Sequence, residues 1–383
     1  MKYYSFVIFL FSLVLLTGCT APSQTINSWG DTTTPIKIWV ITPLAWGAAV
    51  YGEDATRAYN YVVDKVNADG GIDGREVELI YENGACGWKE ATNAIQKLIN
   101  IDGVTMILGW VCSAETIPAG QIAQQNEVVL VSALSSSPEI SNIGDYVFRY
   151  WNDADAGVSV AGYLESQWAQ SISLITENSD YAISYGQAVK DNFDGDIVLE
   201  EKIQADEKDL SIVAKKIWWI VETSDFIIFA AANESLNKWL LLALENEWIL
   251  ETVQEKLLGG EVMLTDSVLE ELWSAVNGVK TTTLSDRLGW DFSAVLADLQ
   301  NDYDVKSSNV FIMLLADSAD LLIDAISEVG TDAEAVKNYI SGFTQENPRV
   351  SLIGDFWFDA EGDGQWLQFV VKEARDGVLV EVE

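Results

Sequence analysis

The sequence contains no histidine, and basic residues are scarce. Of its 383 residues, 22 are lysine or arginine and 59 are aspartate or glutamate, which gives a formal net charge of −37. The lack of histidine excludes catalytic triads with an imidazole base and metal sites with imidazole ligands. The excess of acid argues against nucleic acid and anionic lipid surfaces as partners, because binding them requires positive charge that displaces counterions.

Common enzyme motifs are also absent. The sequence has no GxSxG nucleophile elbow, no Walker phosphate-binding loop and no CxxC pair. Such motifs position a nucleophile, a phosphate group or redox-active thiols. We therefore expect a protein that is not an enzyme and that uses neither a metal nor another cofactor.

The apolar run near the N-terminus is too short to cross a membrane. Phe6–Leu16 follows Lys2 and has eleven residues, whereas a spanning helix needs about 20. We predict a signal peptide over residues 1–18. Its end, Leu16-Thr17-Gly18-Cys19, resembles the bacterial lipobox, in which cleavage frees the cysteine for acylation. The alternative is an ordinary cleavage site beside an incidental Cys19. Residues 19–34 are rich in serine and threonine and predict a flexible tether.

The rest of the sequence alternates short β-rich apolar runs with amphipathic stretches. Strand, helix and strand patterns follow one another from Ile36 to Val131, and the alternation restarts after Arg149. A third block predicts two helices, Asp317–Glu328 and Ala333–Ile340, and the C-terminal tail predicts strands around Asp359–Gly364. Repeated β-α-β units predict an α/β fold with parallel sheets, in which ligands bind at the carboxyl ends of the strands.

Two cysteines lie beyond the leader, in a compartment that permits disulfides. Cys86 follows the second predicted strand, and Cys112 ends the third. Because the ends of parallel strands lie near each other, a Cys86–Cys112 bridge is geometrically reasonable. The alternative is a pair of buried free thiols.

The order of several short motifs resembles the type I periplasmic binding proteins, and among them the branched-chain amino-acid receptors of ABC importers. The resemblance covers Ile36 to the C-terminus and is strongest before residue 150. It is carried by Ile41-Thr42-Pro43-Leu44, Gly70-Gly71-Ile72-Asp73-Gly74, the span from Ala85-Cys86 to Cys112-Ser113, Ser136-Ser137-Pro138-Glu139 and Tyr146-Val147-Phe148-Arg149.

This resemblance implies two lobes, each a parallel sheet flanked by helices, joined by a three-segment hinge. The first lobe would comprise residues 35–151 and 284–354, and the second residues 152–283 and 355–383. A ligand that contacts both lobes would favour the closed form over the open one.

The resemblance also implies which residues bind the ligand. Ser113 and Ser136 would hold an α-carboxylate at two helix starts, where free N–H groups favour an anion; alternatively, both serines only cap helices. Leu134 would accept an ammonium proton through its carbonyl, and Glu261 would pair with the ammonium. Tyr51 and Tyr181 match aromatic wall positions. Ala232 stands where the branched-chain receptors have a tyrosine, so the side-chain pocket would differ in shape.

Fifteen residues are tryptophan, and six of them stand where the family commonly has glycine or another small residue. Our hypothesis is that many are encoded by UGA codons that the source organism reads as glycine. The alternative is a genuine enrichment in aromatic residues, with two of the six lining a stacking pocket. The six tryptophans at positions that are commonly small in the family are Trp39, Trp46, Trp110, Trp168, Trp248 and Trp357. Trp46 and Trp110 are the two that would line a stacking pocket.

The expected function is a monomeric, lipid-anchored receptor outside the cytoplasm. It would capture an amino acid with an aliphatic or branched side chain and deliver it to the permease subunits of an ABC importer. Alternatives are the same fold binding urea or a short amide, and an amino-acid sensor for a membrane signalling partner. A hydrolase is disfavoured by the missing histidine.

Overall fold

The computed structural model describes residues 34–44, 49–109, 111–285, 293–305, 310–365 and 367–382. They form two lobes, each with a central sheet between two hydrophobic clusters. This arrangement places helices on both faces of each sheet, as the alternation of β and α patterns predicts.

The first lobe contains a five-stranded parallel sheet. Its central strands are buried along their whole length, which is typical of a parallel sheet covered on both faces. The elements are β1 (Ile36–Thr42), α1 (Ala49–Ala68), β2 (Val77–Asn83), α2 (Trp88–Lys97), β3 (Met106–Gly109), α3 (Ser113–Gln125), β4 (Val129–Ser132) and β5 (Val147–Arg149), and the strand order is β2-β1-β3-β4-β5.

The second lobe repeats the pattern with a larger sheet. Five of its strands are parallel, in the order β7-β6-β8-β9-β10. The elements are α4 (Asp153–Ser166), β6 (Ser171–Glu177), α5 (Asp180–Asn192), β7 (Asp196–Ile203), α6 (Ser211–Ile220), β8 (Phe226–Ala230), α7 (Glu234–Asn246), α8 (Leu250–Val253), β9 (Leu257–Gly259), α9 (Asp266–Leu272) and β10 (Lys280–Leu284).

The chain then returns to the first lobe. There α11 packs against α1, and a small antiparallel sheet covers one side of the first core. The elements are α10 (Ser293–Asp302), α11 (Val310–Val329), α12 (Ala333–Ile340), β11 (Arg349–Ser351), β12 (Gly354–Phe358) and β13 (Gly364–Gln365).

The last two strands differ from the predicted architecture. Strands β14 (Phe369–Arg375) and β15 (Val378–Val382) add to the second sheet, but β14 pairs antiparallel with β10. The second sheet is therefore mixed rather than wholly parallel. An antiparallel hairpin can join an open sheet edge without a crossover helix, which explains how so short a tail extends the sheet.

The third connection between the lobes also lies elsewhere than predicted. Phe356 and Phe358 pack in the first core, where Phe356 stacks on Tyr150 with ring centroids 4.6 Å apart. The chain thus leaves the first lobe after Gln365, not near residue 354. The stretch predicted as strands, Asp359–Gly364, is mostly the turn that connects β12 to β13.

Candidate functional site

A cavity of about 650 Å³ lies between the lobes, at the carboxyl ends of both parallel sheets. Residues from both lobes line it. All six positions predicted to bind ligand are among the lining residues: Tyr51, Ser113, Leu134, Ser136, Tyr181 and Glu261. The structure therefore brings together side chains that lie up to 210 residues apart in the sequence.

The N-terminus of α3 forms one wall of the cavity. Helix α3 begins at Ser113, and its N-cap residue, Cys112, supplies no side-chain acceptor to the first turn. The Oγ of Ser113 accepts hydrogen bonds from the N–H groups of Ser136 (3.2 Å) and Ser137 (3.1 Å). Its hydroxyl proton is therefore available to an acceptor in the cavity. An uncapped helix start with a hydroxyl beside it favours an anion.

The two predicted serines do not occupy N-cap positions. Ser113 is the first residue of α3, and the short 3₁₀ helix Pro138–Asn142 is capped by Ser137, whose Oγ accepts the N–H of Glu139. The hydroxyl of Ser136 instead lies near the carboxylate of Asp153 and opposes the rise in its pKa that burial causes. Simple capping therefore does not account for either Ser113 or Ser136.

Glu261 lies across the cavity from these serines, two residues after β9. The Oη of Tyr181 donates to its Oε2, and Oε1 has no hydrogen-bond partner among the described residues. The side chain is buried, and only 8% of the residue is exposed. Burial, followed by the charge of Asp153, raises the pKa of Glu261 to about 8. A cation in the cavity would stabilise the ionised form.

Sequence reasoning did not identify Asp153, a second buried acid behind the serines. It is the first residue of α4 and accepts a hydrogen bond from Ser184 Oγ at 2.6 Å, while its Oδ1 has no partner in the described part of the chain. Burial raises the pKa of Asp153 to about 6. The sequence Asn152-Asp153 signals a helix start, but no local pattern places Asp153 near Glu261.

Leu134 and Tyr51 lie on the first-lobe side of the cavity. Leu134 is half-buried against the first core. Tyr51 belongs to α1, and its Oη is buried without a hydrogen-bond partner among the residues described. Burial raises the pKa of Tyr51 well above its usual value, and the charges of Glu234, Asp54 and Glu177 raise it further.

Cys86 and Cys112 form a disulfide at the edge of the cavity, with Cα atoms 5.4 Å apart. The carboxylate of Glu115 accepts the N–H of Cys86 at 2.7 Å. Within the described ranges, Cys86, Cys112 and Glu115 are the one group of acidic and cysteine side chains close enough to share a metal ion. Because the two sulfurs are bonded to each other, this group offers no thiolate ligand.

Some predicted features lie outside the described residues, namely Cys19, the signal peptide, Trp46 and Trp110. In the part of the chain that is described, no helix combines the length and the hydrophobicity that a membrane span requires.

Comparison with known proteins identifies relatives over most of the chain. The model of the periplasmic binding protein family matches residues 35–237. The Leu/Ile/Val-binding protein of Citrobacter freundii is 22% identical over 363 residues, which cover 93% of this chain and 95% of that protein. The Leu/Ile/Val/Thr-binding protein of Salmonella typhimurium is 28% identical over 232 residues, which cover 59% of this chain and 62% of that protein.

Solved structures share the architecture at lower identity. A branched-chain amino acid transporter substrate binding protein from Streptococcus pneumoniae, in complex with isoleucine, has a TM-score of 0.78 at 20% identity, covering 91% of this chain and 100% of that chain. A solute binding protein of an ABC transporter from R. palustris, in complex with benzoate, has a TM-score of 0.78 at 18% identity. The match covers 91% of this chain and 95% of that chain. These likenesses confirm the predicted two-lobed α/β fold.

Proposed function

The chain belongs to the periplasmic binding protein family, whose model covers more than half of it, and from this premise we propose that it captures an α-amino acid between its lobes for an ABC importer. Family membership makes it a binding protein rather than an enzyme and implies a location outside the cytoplasm. One observation carries the proposal: an uncapped helix start and a buried carboxylate with an unpartnered oxygen line the same cavity.

These two features match the two charges of an α-amino acid. The ligand carboxylate would meet the start of α3 and the hydroxyl of Ser113, on the wall that Ser136 shares. The ligand ammonium would meet Glu261 and the carbonyl of Leu134, and Tyr181 holds the Glu261 carboxylate in place. Hydrogen bonds to charged groups contribute about 1.5–3 kcal/mol each. A ligand with both charges therefore gains binding free energy at both ends of the cavity.

Because the two ends belong to different lobes, such a ligand stabilises the closed arrangement of the lobes. The permease would recognise this closed form. The lipobox-like sequence ending in Cys19 supports anchoring of the receptor, acting as a monomer, by acyl chains at a membrane surface. The names of the curated relatives support leucine, isoleucine or valine as the starting expectation for the ligand.

Calorimetry with the purified protein and matched ligands tests the proposal. We expect at least one α-amino acid to bind with a stoichiometry of one. The corresponding amino alcohol, which lacks the carboxylate, and the corresponding acid without the amine should each bind at least about tenfold more weakly. Ser113→Ala should weaken binding of the amino acid, and Glu261→Ala should remove the preference over the deaminated acid.

Two results would contradict the proposal. If benzoate or a deaminated acid binds as tightly as every amino acid, Glu261 does not hold an ammonium. If Ser113→Ala and Ser136→Ala both leave affinity unchanged, the serines do not hold a carboxylate. Glu251→Gln, a change on the exposed face of α8, serves as the control and should leave binding unaltered.

A further inference from the structure

Three neighbouring strands of the second lobe place two acids on either side of an alanine. Glu261 follows β9, Ala232 follows β8, and Glu177 ends β6, and these strands are adjacent in the order β9-β8-β6. Neighbouring strands lie about 4.8 Å apart, so the backbones of Glu261 and Glu177 are separated by roughly 10 Å. The alanine between them presents only a methyl group to the cavity that all three residues line.

Glu177 is buried in the cavity wall, with 3% of its surface exposed. Its Oε2 accepts hydrogen bonds from the N–H groups of Ala232 and Asn233 and from Ser179 Oγ. These donors favour the ionised carboxylate and oppose the rise in pKa that burial causes. All of the observed bonds go to Oε2, and no lysine or arginine of the described ranges pairs with Glu177.

The opposite lobe brings a hydroxyl to the same end of the cavity. The Oη of Tyr51 is buried and has no hydrogen-bond partner in the described structure. The acids Asp54 and Glu234 are also close to it: Asp54 pairs with Arg57, and Glu234 accepts a hydrogen bond from Thr265 Oγ1 at 2.7 Å. This end of the cavity therefore combines a carboxyl group held by three hydrogen-bond donors with a tyrosine hydroxyl that lacks a partner.

All ionisable side chains of the lining other than tyrosine are carboxylic acids. The lining contains four acids, Asp54, Glu177, Asp180 and Glu261, and the described lining residues include no lysine or arginine. A cleft lined by acids attracts cations and raises their local concentration. An aliphatic side chain would leave the buried Tyr51 hydroxyl without a partner and would place no cation opposite Glu177, whereas a cationic side chain can pair with both.

We propose, on the basis that the cleft binds an α-amino acid, that its ligand carries a cationic side chain, as lysine, ornithine and arginine do. The α-ammonium pairs with Glu261, and the side chain passes over Ala232. The terminal cation lies between Glu177 and the Oη of Tyr51. The flexible four-carbon stem of lysine suits the distance between the two acids. This ligand class differs from the aliphatic one that the relatives' names support.

The test compares L-lysine with L-norleucine, which has the same carbon chain without the terminal amine. Calorimetry at pH 7 should give at least about tenfold tighter binding of lysine, the factor expected for one charge-assisted hydrogen bond. Glu177→Gln should remove most of this preference and leave norleucine affinity within about threefold. Tyr51→Phe should reduce the preference in the same direction.

Since Glu177 also fixes the backbone before α7, its glutamine variant could lose stability. Tyr51→Phe removes only an unpartnered hydroxyl and keeps the test independent of folding. Glu251→Gln is the matched control and should preserve the lysine preference. Equal or tighter binding of norleucine, or failure of both ligands to bind, overturns the proposal. If norleucine or leucine binds and lysine does not, the cationic side chain is wrong but the amino-acid function stands. If a deaminated acid binds more tightly than the amino acids, the amino-acid function itself is contradicted.

Discussion

The guanidinium of Arg149 forms a two-point ion pair with the carboxylate of Asp363, with Nε–Oδ1 and Nη2–Oδ2 distances of 2.6 and 2.8 Å. Its Nη1 donates to the carbonyl oxygens of Ser136 and Ser137 at 2.7 and 2.6 Å. Arg149 is fully buried. Because it binds the carbonyl side of the serine loop, the N–H groups of that loop turn toward Ser113. A residue near the C-terminus thus helps to orient the serine loop that lines the cleft.

We predict that Asp363→Asn weakens both the fold and the binding of ligand. Removing one partner of a buried ion pair costs about 3–5 kcal/mol of unfolding free energy. The loosened serine loop should also reduce the preference for an amino acid over its amino alcohol, which calorimetry measures. A loss of stability without any change in that preference would assign Asp363 a purely structural role. Glu361→Gln, an exposed acid in the same turn, is the control and should change neither property.

Binding of an amino acid should release a proton near neutral pH. The pKa of Glu261 is raised to about 8 by burial and by Asp153, so most of its carboxyl groups are protonated at pH 7. A ligand ammonium favours the ionised form, and the proton must leave when the ligand binds. Affinity should therefore rise by up to about tenfold per pH unit between pH 6 and 8, and then level off.

Calorimetry in two buffers with different ionisation enthalpies measures this proton release directly. Glu261→Gln should flatten the pH dependence and abolish the release. If the unchanged protein releases no proton at pH 7, Glu261 either remains protonated in the complex or does not contact the ligand amine.

A hydrogen bond between Trp88 and Asp180 crosses the mouth of the cleft. The Trp88 Nε1–H, at the start of α2 in the first lobe, donates to Asp180 Oδ2, at the start of α5 in the second, at 2.9 Å. Because the two residues belong to different lobes, opening of the cleft would break this bond. Trp88→Phe should therefore weaken ligand binding about twofold to tenfold, mainly through faster dissociation.

Stopped-flow measurement of association and dissociation rates checks this prediction. Trp219→Phe changes an exposed tryptophan on α6 that is not among the residues lining the cavity, and should have no effect. A slower association rate with unchanged dissociation would show that the bond does not hold the closed form.

Two of the six tryptophans that we suspect to be encoded glycines have a left-handed backbone conformation, with positive φ. Trp168 and Trp248 have φ values of 61° and 58° and are 86% and 90% exposed. Each follows a helix end in a Schellman arrangement: Ala169 N–H donates to the Leu164 carbonyl, and Ile249 N–H to the Leu244 carbonyl. Glycine is the preferred residue there because it has no Cβ to strain this conformation.

We predict that Trp168→Gly and Trp248→Gly each stabilise the fold by about 1 kcal/mol, measured by denaturant unfolding. Trp218→Gly, within α6, should destabilise it because glycine is a poor helix former. UGG codons at positions 168 and 248 would contradict recoding at these sites, whatever the stabilities. Trp39 and Trp357 lie partly buried in strands without positive φ, so their backbones neither require nor exclude glycine.

Helix and strand positions followed closely from local patterns. Helix Ala333–Ile340 has the predicted bounds, because its apolar periodicity agrees with its final burial. The prediction was wrong around Asp359–Gly364. Alternating small and acidic residues there form a turn whose Asp359 side chain accepts the N–H groups of Glu361 and Asp363. The Asp and Gly residues of this segment are typical of turns and depleted in strands, so turn chemistry should have outweighed the strand prediction.

The α/β class was readable from the sequence alone, because hydrophobic period and turn chemistry are local properties, and the two lobes and the motifs of the binding loops followed from the resemblance to a known family. Three features emerged only from the tertiary structure: the mixed second sheet, the pairing of Arg149 with Asp363, and the proximity of Asp153 to Glu261. Each depends on residues far apart in the chain that the packing of two sheets brings together. The acidic character of the cleft arises in the same way, from carboxyl groups contributed by separate strands and helices.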